Sequence, residues 1–120
     1  MSTKERRKFM RFHTDLEVEY WAKGIPTASG QAQSRDFSRE GLGVVFPQPV
    51  PQGEQVDLTL RVPGDNVPIF ATGQVAWIRT GERRPGADAG LRLLSIKPLD
   101  LARLLDFVYS KWLGGLRENL

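Results

Sequence analysis

Residues 56–62 limit the fold more than any other stretch. Val56, Leu58, Leu60 and Val62 alternate with Asp57, Thr59 and Arg61. A period of two sends one row of side chains into a core and the other into water, the pattern of a half-buried β-strand. The same alternation sets Leu16, Val18 and Tyr20 against Glu17, Glu19 and Trp21. It returns over 67–79, where Ile69, Ala71, Gly73, Val75 and Trp77 share one parity and Phe70 and Ile78 the other. Gly43-Val44-Val45-Phe46 is a shorter apolar strand stopped by Pro47, Pro49 and Pro51, and Leu91, Leu93 and Leu94 belong to a last strand over 89–96. The polar, small residues 28–36 read as an exposed strand. Turn chemistry separates these runs at Gly24-Ile25-Pro26, at Pro63-Gly64-Asp65-Asn66 and from Asp36 to Gly41, and residues 80–86 form a polar loop. Gly73 marks a bulge or a barrel corner.

After Pro98 the period changes. Leu101, Leu104, Leu105, Val108 and Trp112 fall on one helical face. The proline suits a first helical turn, and Gly114-Gly115 is read as the end. Short strands with Gly/Pro turns followed by one amphipathic helix predict an all-β fold with one helix: a six-stranded antiparallel barrel partly covered by a C-terminal helix. A length of 120 residues fits one core. The expected organisation is a flexible basic arm over 1–11, a barrel-and-helix body over 12–113 and a tail over 114–120. Trp77 and Trp112 are read as core or helix-packing residues, and Trp21 as exposed.

Composition removes several classes of function. The chain has no cysteine, which excludes disulfides, thiolate metal sites and cysteine nucleophiles. Its one histidine, His13, rules out a multi-histidine metal site, argues against a histidine-based triad and reads as incidental. Glu17 and Glu19 lie two apart on a strand and read as a solvated face rather than an acid–base pair. With no nucleophile–base pair, metal cluster or phosphate-cradling glycine loop, the chain is expected to be no enzyme and to hold no metal or cofactor. No apolar run approaches the ~20 residues of a membrane span, and the charged N-terminus has no signal region, so the expected location is cytoplasmic.

The charge is local. Lys4, Arg6, Arg7, Lys8 and Arg11 against Glu5 give residues 1–11 a net +4, while the whole chain is +3, leaving −1 for residues 12–120. A nucleic-acid polymer calls for basic residues spread over a face or groove, whereas a concentrated cluster suits a compact anion. Alone, such a tail is ordinarily a solvated charge run. Asp36-x-Ser38-x-x-Gly41 is equally ordinary alone, because Asp and Ser bond nearby backbone groups and glycine permits unusual backbone angles. Arg35 and Arg39, which flank it, read as exposed strand and turn residues, the alternative being that they add charge beside the motif.

Taken together, the two motifs are specific. Arg7-x-x-x-Arg11, 24 intervening residues, then Asp36-x-Ser38-x-x-Gly41 before an apolar strand resembles the PilZ domain family. Gly41-Leu42-Gly43-Val44-Val45-Phe46, Gly73-Gln74-Val75-Ala76-Trp77 and Gly90-Leu91-Arg92-Leu93 agree with it, so the resemblance runs from about residue 5 to residue 112. It implies a split six-stranded barrel with a C-terminal helix that binds the bacterial second messenger cyclic di-GMP through Arg7, Arg11, Asp36, Ser38 and Gly41. Arg6, an additional arginine just before the pair, implies an intercalated ligand dimer, a solvated arginine being the alternative. The chemistry agrees: an arginine fork can take phosphate or guanine O6/N7 in bidentate fashion and stack on a base, and a carboxylate accepts the N–H groups of guanine. Gly41 is read as permitting a backbone turn that a Cβ would obstruct. The implied role is a receptor or adaptor whose basic arm orders on binding and whose new surface an unidentified effector protein reads. The alternatives are a ligand-independent interaction module and a small-barrel binder of single-stranded nucleic acid. The chain is expected to be a monomer or a weak homodimer, with Leu113, Leu116 and Leu120 as candidates for self-association.

Overall fold

The computed structural model describes residues 11–25, 28–81 and 86–118, with side chains as far as Gly114. The basic arm over 1–10, including Arg6 and Arg7, lies outside the described residues, as do the side chains of Leu116 and Leu120. The elements are β1 (Phe12–His13), β2 (Glu17–Ala22), β3 (Ser29–Phe37), β4 (Gly41–Phe46), β5 (Gln55–Arg61), β6 (Ile69–Arg79), β7 (Ala87–Ile96) and α1 (Pro98–Glu118). Every strand pair is antiparallel, and the order β2-β5-β6-β7-β4-β3 closes because β3 also pairs with β2. The result is the expected six-stranded barrel.

β1 is not a seventh stave. It pairs with residues 36–37 of β3, and β2 pairs with residues 29–33 of the same strand, so the two form one interrupted strand. Ser34 spans the interruption. Its buried hydroxyl accepts from the Leu16 amide at 2.5 Å and donates to the Thr14 carbonyl at 3.2 Å. The segment expected to be an exposed strand is therefore a barrel stave paired along both edges, with Ala32, Ser34 and Phe37 buried. Its small polar residues concealed this, because a serine that satisfies its hydroxyl on the backbone is accepted in a core.

The alternating positions behave as expected: Val18, Tyr20, Val56, Leu58, Leu60, Ile69 and Val75 all face inward. From α1, Leu104 and Val108 join that core. Two further contacts hold the helix. The Arg103 guanidinium donates to Asp65 on the β5–β6 turn at 2.6 Å, to the Val67 carbonyl at 2.7 Å and to Asp100 at 2.9 Å. Toward the other end, Phe12 packs edge-on against Tyr109 and Trp112, with centroids 6.1 and 5.7 Å away. The helix does not stop at Gly114-Gly115 but continues to Glu118. Glycine ends a helix by taking the left-handed conformation. In helical conformation it only weakens the helix, by about 1 kcal/mol relative to alanine.

The turn expected from Asp36 to Gly41 is tighter than the sequence implied. Asp36 and Phe37 still belong to β3, and Ser38 and Gly41 exchange backbone bonds of 2.9 and 3.3 Å across Arg39-Glu40. Gly41 is not among the glycines of positive φ. What it provides is a close approach, since a Cβ there would run into the Leu91 carbonyl oxygen of β7. Three strands each carry one extra residue against their partner: Arg35 in β3, Ala76 in β6 and Leu94 in β7, the last beside Gly73.

Two outcomes follow. Gly41→Ala forces β4 from β7 and costs roughly 1–3 kcal/mol, the range for overpacking; an unchanged urea midpoint would contradict the close approach. The second concerns pH. The Arg103 hydrogen bond, helped by the Val67 amide, holds the Asp65 carboxyl below its ordinary value. A carboxyl lowered in the folded state stabilises above its unfolded pKa, and that contribution fades as pH falls through the folded one. Melting temperature is therefore expected to fall more steeply below about pH 4 in the wild type than in Asp65→Asn. Parallel curves would show that the clamp carries no such linkage.

Candidate functional site

Two of the extra residues shape the outer wall of the barrel. Along β3 the parity breaks at Arg35: Ser34 and Phe37 are buried, while the consecutive Arg35 and Asp36 are both partly exposed. Along β6 it breaks at Ala76, after which Trp77 stands outside, 41% exposed, instead of continuing the buried row of Ile69, Ala71 and Val75. This corrects the expectation that Trp77 is a core or helix-packing residue. Its indole lies across Gly90, its register partner on β7, where a Cβ would collide with Nε1. Two residues further on, the Arg79 guanidinium sits 5.8 Å from the centre of the Trp77 ring, within cation–π range.

Arg11, just before β1, reaches the same wall. Its Nη1 lies 2.6 Å from Asp36 Oδ1, joining the two sequence motifs; the side chains are 28% and 30% exposed. His13 stands opposite Asp36 in the β1–β3 register. Gly43 leaves room for the carboxylate, since a Cβ there would come within 2.6 Å of Oδ1. Arg11, His13, Arg35 and Asp36 line one side of a cavity of about 830 Å³, completed by Gly43, Trp77 and Arg79. A smaller cavity of about 250 Å³ shares Arg11 and Trp77 and adds Glu40, Gly41 and Arg92 among its walls. Asp88, on β7, pairs with Arg35 at 3.2 Å and Arg79 at 3.8 Å.

The residues singled out in the sequence thus fare differently. Arg11 and Asp36 are in contact, and Gly41 borders the smaller cavity. Ser38 is buried in the hairpin, its hydroxyl accepting weakly from the Glu40 amide at 3.4 Å, and it lines neither cavity. Arg6 and Arg7 lie outside the described residues. Sequence reasoning gave Arg79 and Asp88 no place in the site and read Trp77 as core or helix packing; it read His13 as incidental though next to the first motif, and Arg35 as exposed with added charge as the alternative. An extra residue moves the apolar row to the other parity; the change from Val75 to Ile78, with the spacing of Trp77 and Arg79, was the signal that these two share the outer face.

The cavity therefore combines guanidinium forks, a carboxylate acceptor and an exposed indole. Such a set can neutralise an anion, accept from N–H donors and stack on a flat ring. Among the described residues there is no group of three or more side chains that could hold a metal ion, and no helix is long and apolar enough to cross a membrane.

Comparison with known proteins agrees with this architecture. The family model for the PilZ domain matches residues 5–110. The sequence has no significant match among curated proteins. Among solved structures, the Bacillus subtilis inhibitor of motility MotI/DgrA superposes with a TM-score of 0.74 at 21% identity, covering 91% of this chain and 52% of that one. The PilZ domain of Escherichia coli YcgR, solved with c-di-GMP, gives 0.72 at 13% identity over 95% of this chain and 97% of that one. Escherichia coli YcgR in complex with c-di-GMP gives 0.69 at 15% identity, covering 95% and 49%. The chain thus spans about half the length of MotI/DgrA and of that YcgR structure. With a family model matched over most of its length, on a closed antiparallel barrel capped by one helix, the chain belongs to the PilZ domain family.

Proposed function

We propose that this protein is a cytoplasmic receptor for cyclic di-GMP, acting by binding rather than catalysis, and that ligand binding changes a surface read by a partner protein. The observation that carries this reading is the Arg11–Asp36 contact at the edge of the 830 Å³ cavity. Asp36 accepts the ring N–H and amino group of a guanine, an edge adenine lacks. Arg11 serves the phosphates or O6/N7, joined from the arm by Arg7 and Arg6. Trp77 supplies a stacking face. Ser38 acts through the hairpin that follows Asp36, and Gly41 through the close approach of β4 to β7. The additional arginine, Arg6, favours an intercalated pair of ligands in the site.

The energetics permit exchange. A partly exposed ion pair contributes about 0–1 kcal/mol, whereas hydrogen bonds to charged groups contribute ~1.5–3 kcal/mol each. A ligand that offers N–H donors to Asp36 and phosphate oxygens to Arg11 replaces one modest contact with several stronger ones.

The output follows from β1. Phe12 sits between Arg11 and His13, and its ring packs against Tyr109 and Trp112. Movement of Arg11 toward a ligand is thereby passed to the helix. Ordering of residues 1–11 over the site and a shift at the aromatic end of α1 together create the surface that a partner reads.

Calorimetric titration tests the site. The wild type binds cyclic di-GMP, and Arg11→Ala and Asp36→Ala each weaken binding more than tenfold while the fold is kept. Unchanged affinity in both variants would remove the assignment. Trp77→Ala costs about 1–3 kcal/mol of binding, the range for stacking a base on an aromatic ring, and Trp77→Phe retains most of it. Hydrogen exchange tests the output: ligand raises protection over residues 4–12 and alters it around Tyr109 and Trp112. Identical exchange with and without ligand would reject the switch.

A further inference from the structure

We propose that Arg35 and Arg79 are a second pair of ligand-binding guanidiniums, and that Asp88 is the residue that positions them. The inference rests on the cyclic di-GMP reading of the cavity and adds three residues that neither motif contains.

The geometry makes the case. Arg35 comes from the extra position of β3 and Arg79 from β6, beyond its own extra residue. Between those strands lie β4 and β7. Both guanidiniums nevertheless meet one carboxylate on β7, Arg35 Nη1 at 3.2 Å from Asp88 Oδ1 and Arg79 Nη2 at 3.8 Å from Asp88 Oδ2. Both arginines line the large cavity. Long cationic side chains on an open wall would otherwise spread apart, by mutual repulsion and by their rotamer freedom. A shared carboxylate holds them over the same space.

The anchor and the forks differ in exposure. The Asp88 side chain is 16% exposed, while those of Arg35 and Arg79 are 40% and 71% exposed. An arginine has five N–H donors, so contact with Asp88 leaves donors on each fork facing the cavity. Two acceptor groups of a cyclic dinucleotide match such forks: phosphodiester oxygens and the O6/N7 edge of guanine. Arg79 also lies over the Trp77 ring, so a base that stacks on that indole displaces the guanidinium to its own edge.

Asp88 gives the test a distinctive sign. Its negative charge lies near the place of an anionic ligand, so charge alone says that removing it tightens binding. Positioning says the opposite. Cyclic di-GMP is titrated into the wild type, Asp88→Asn, Arg35→Ala, Arg35→Lys and Arg79→Ala, with melting temperatures recorded for each. The expected result is that Asp88→Asn weakens binding roughly two- to fivefold, the scale of the partly exposed ion pairs it removes. Arg35→Ala and Arg79→Ala each weaken it roughly five- to fiftyfold, as loss of charge-assisted contacts to the ligand requires, and Arg35→Lys restores little because lysine has no planar fork. In an Arg35→Ala, Arg79→Ala background, Asp88→Asn has almost no further effect, the non-additivity expected of residues acting together. Equal or tighter binding by Asp88→Asn in a folded protein overturns the positioning role, and unchanged affinity in both arginine-to-alanine variants overturns the inference as a whole. Those two variants decide the matter should Asp88→Asn fail to fold. A wild type that binds no cyclic di-GMP defeats the underlying reading, whereas a wild type that binds alongside unaffected arginine variants defeats only this one.

Discussion

β3 is hydrogen-bonded along both edges, to β1 and β2 on one side and to β4 on the other, and the barrel is closed only because of it. That closure imposes a choice at its C-terminal end. In an unbroken alternation continuing from the buried Ala32 and Ser34, Asp36 would point into the core and Phe37 into water. Burying an isolated carboxylate costs several kcal/mol, and exposing Phe37 forfeits about 1.5–3 kcal/mol of burial. One extra residue at Arg35 removes both penalties: Phe37 is fully buried, and Asp36 opens onto the outer wall with Arg11 beside it. The bulge that corrects the core also makes the site.

The same device operates on β6. Without the extra residue at Ala76, Trp77 and Arg79 would face inward and Ile78 outward. With it, Ile78 is partly buried against the core, and the indole and guanidinium join the wall that holds Asp36. Glycines shape the wall between these two places. Gly90 admits the Trp77 ring, Gly43 admits the Asp36 carboxylate, and Gly41 lets β4 approach β7. Bulged strands bend and twist more sharply, which suits a concave patch on the outside of a barrel whose interior is filled by side chains.

These facts explain what could be read in the sequence. The inward row of β5 and the buried face of α1 were legible, because each is a run of apolar residues at a fixed period. The meeting of Arg11 with Asp36 was legible only through the resemblance to the PilZ domain family, which implied that both motifs serve one ligand; the two segments meet across β1 and β3. Trp77 was not. Its parity is set by an insertion at Ala76; Ile78 on the opposite parity from Val75 was the sign of it, but Trp77 was kept with the row of Ile69, Ala71 and Val75. Ser34 misled in the opposite direction, as a polar residue buried because it repairs the break between β1 and β2. Gly41 was read correctly as intolerant of a side chain, but for a local reason; the constraint comes from Leu91, which is 50 residues away in sequence.

The two ends of α1 are held by different forces, and the difference bears on how a receptor of this build could respond. Near its start the Arg103 clamp ties the helix to the β5–β6 turn, and Leu104 and Val108 fix the middle to the core. Burying two such side chains contributes about 1.5–3 kcal/mol apiece, more than a shift of Arg11 could offset. Among the described side chains beyond Val108 there is no such anchor: Tyr109, Trp112 and Leu113 are all substantially exposed, and the contact with β1 runs through the ring of Phe12. Aromatic pairs of this kind contribute about 0.5–1.5 kcal/mol beyond their buried area, a scale on which one new charge-assisted contact at Arg11 can compete. On the proposed reading, β1, with the cavity beside Arg11 and α1 against Phe12, would direct a mechanical response to the part of α1 around Tyr109 and Trp112. On the same reading, the barrel and the first half of the helix would be the frame against which that end moves.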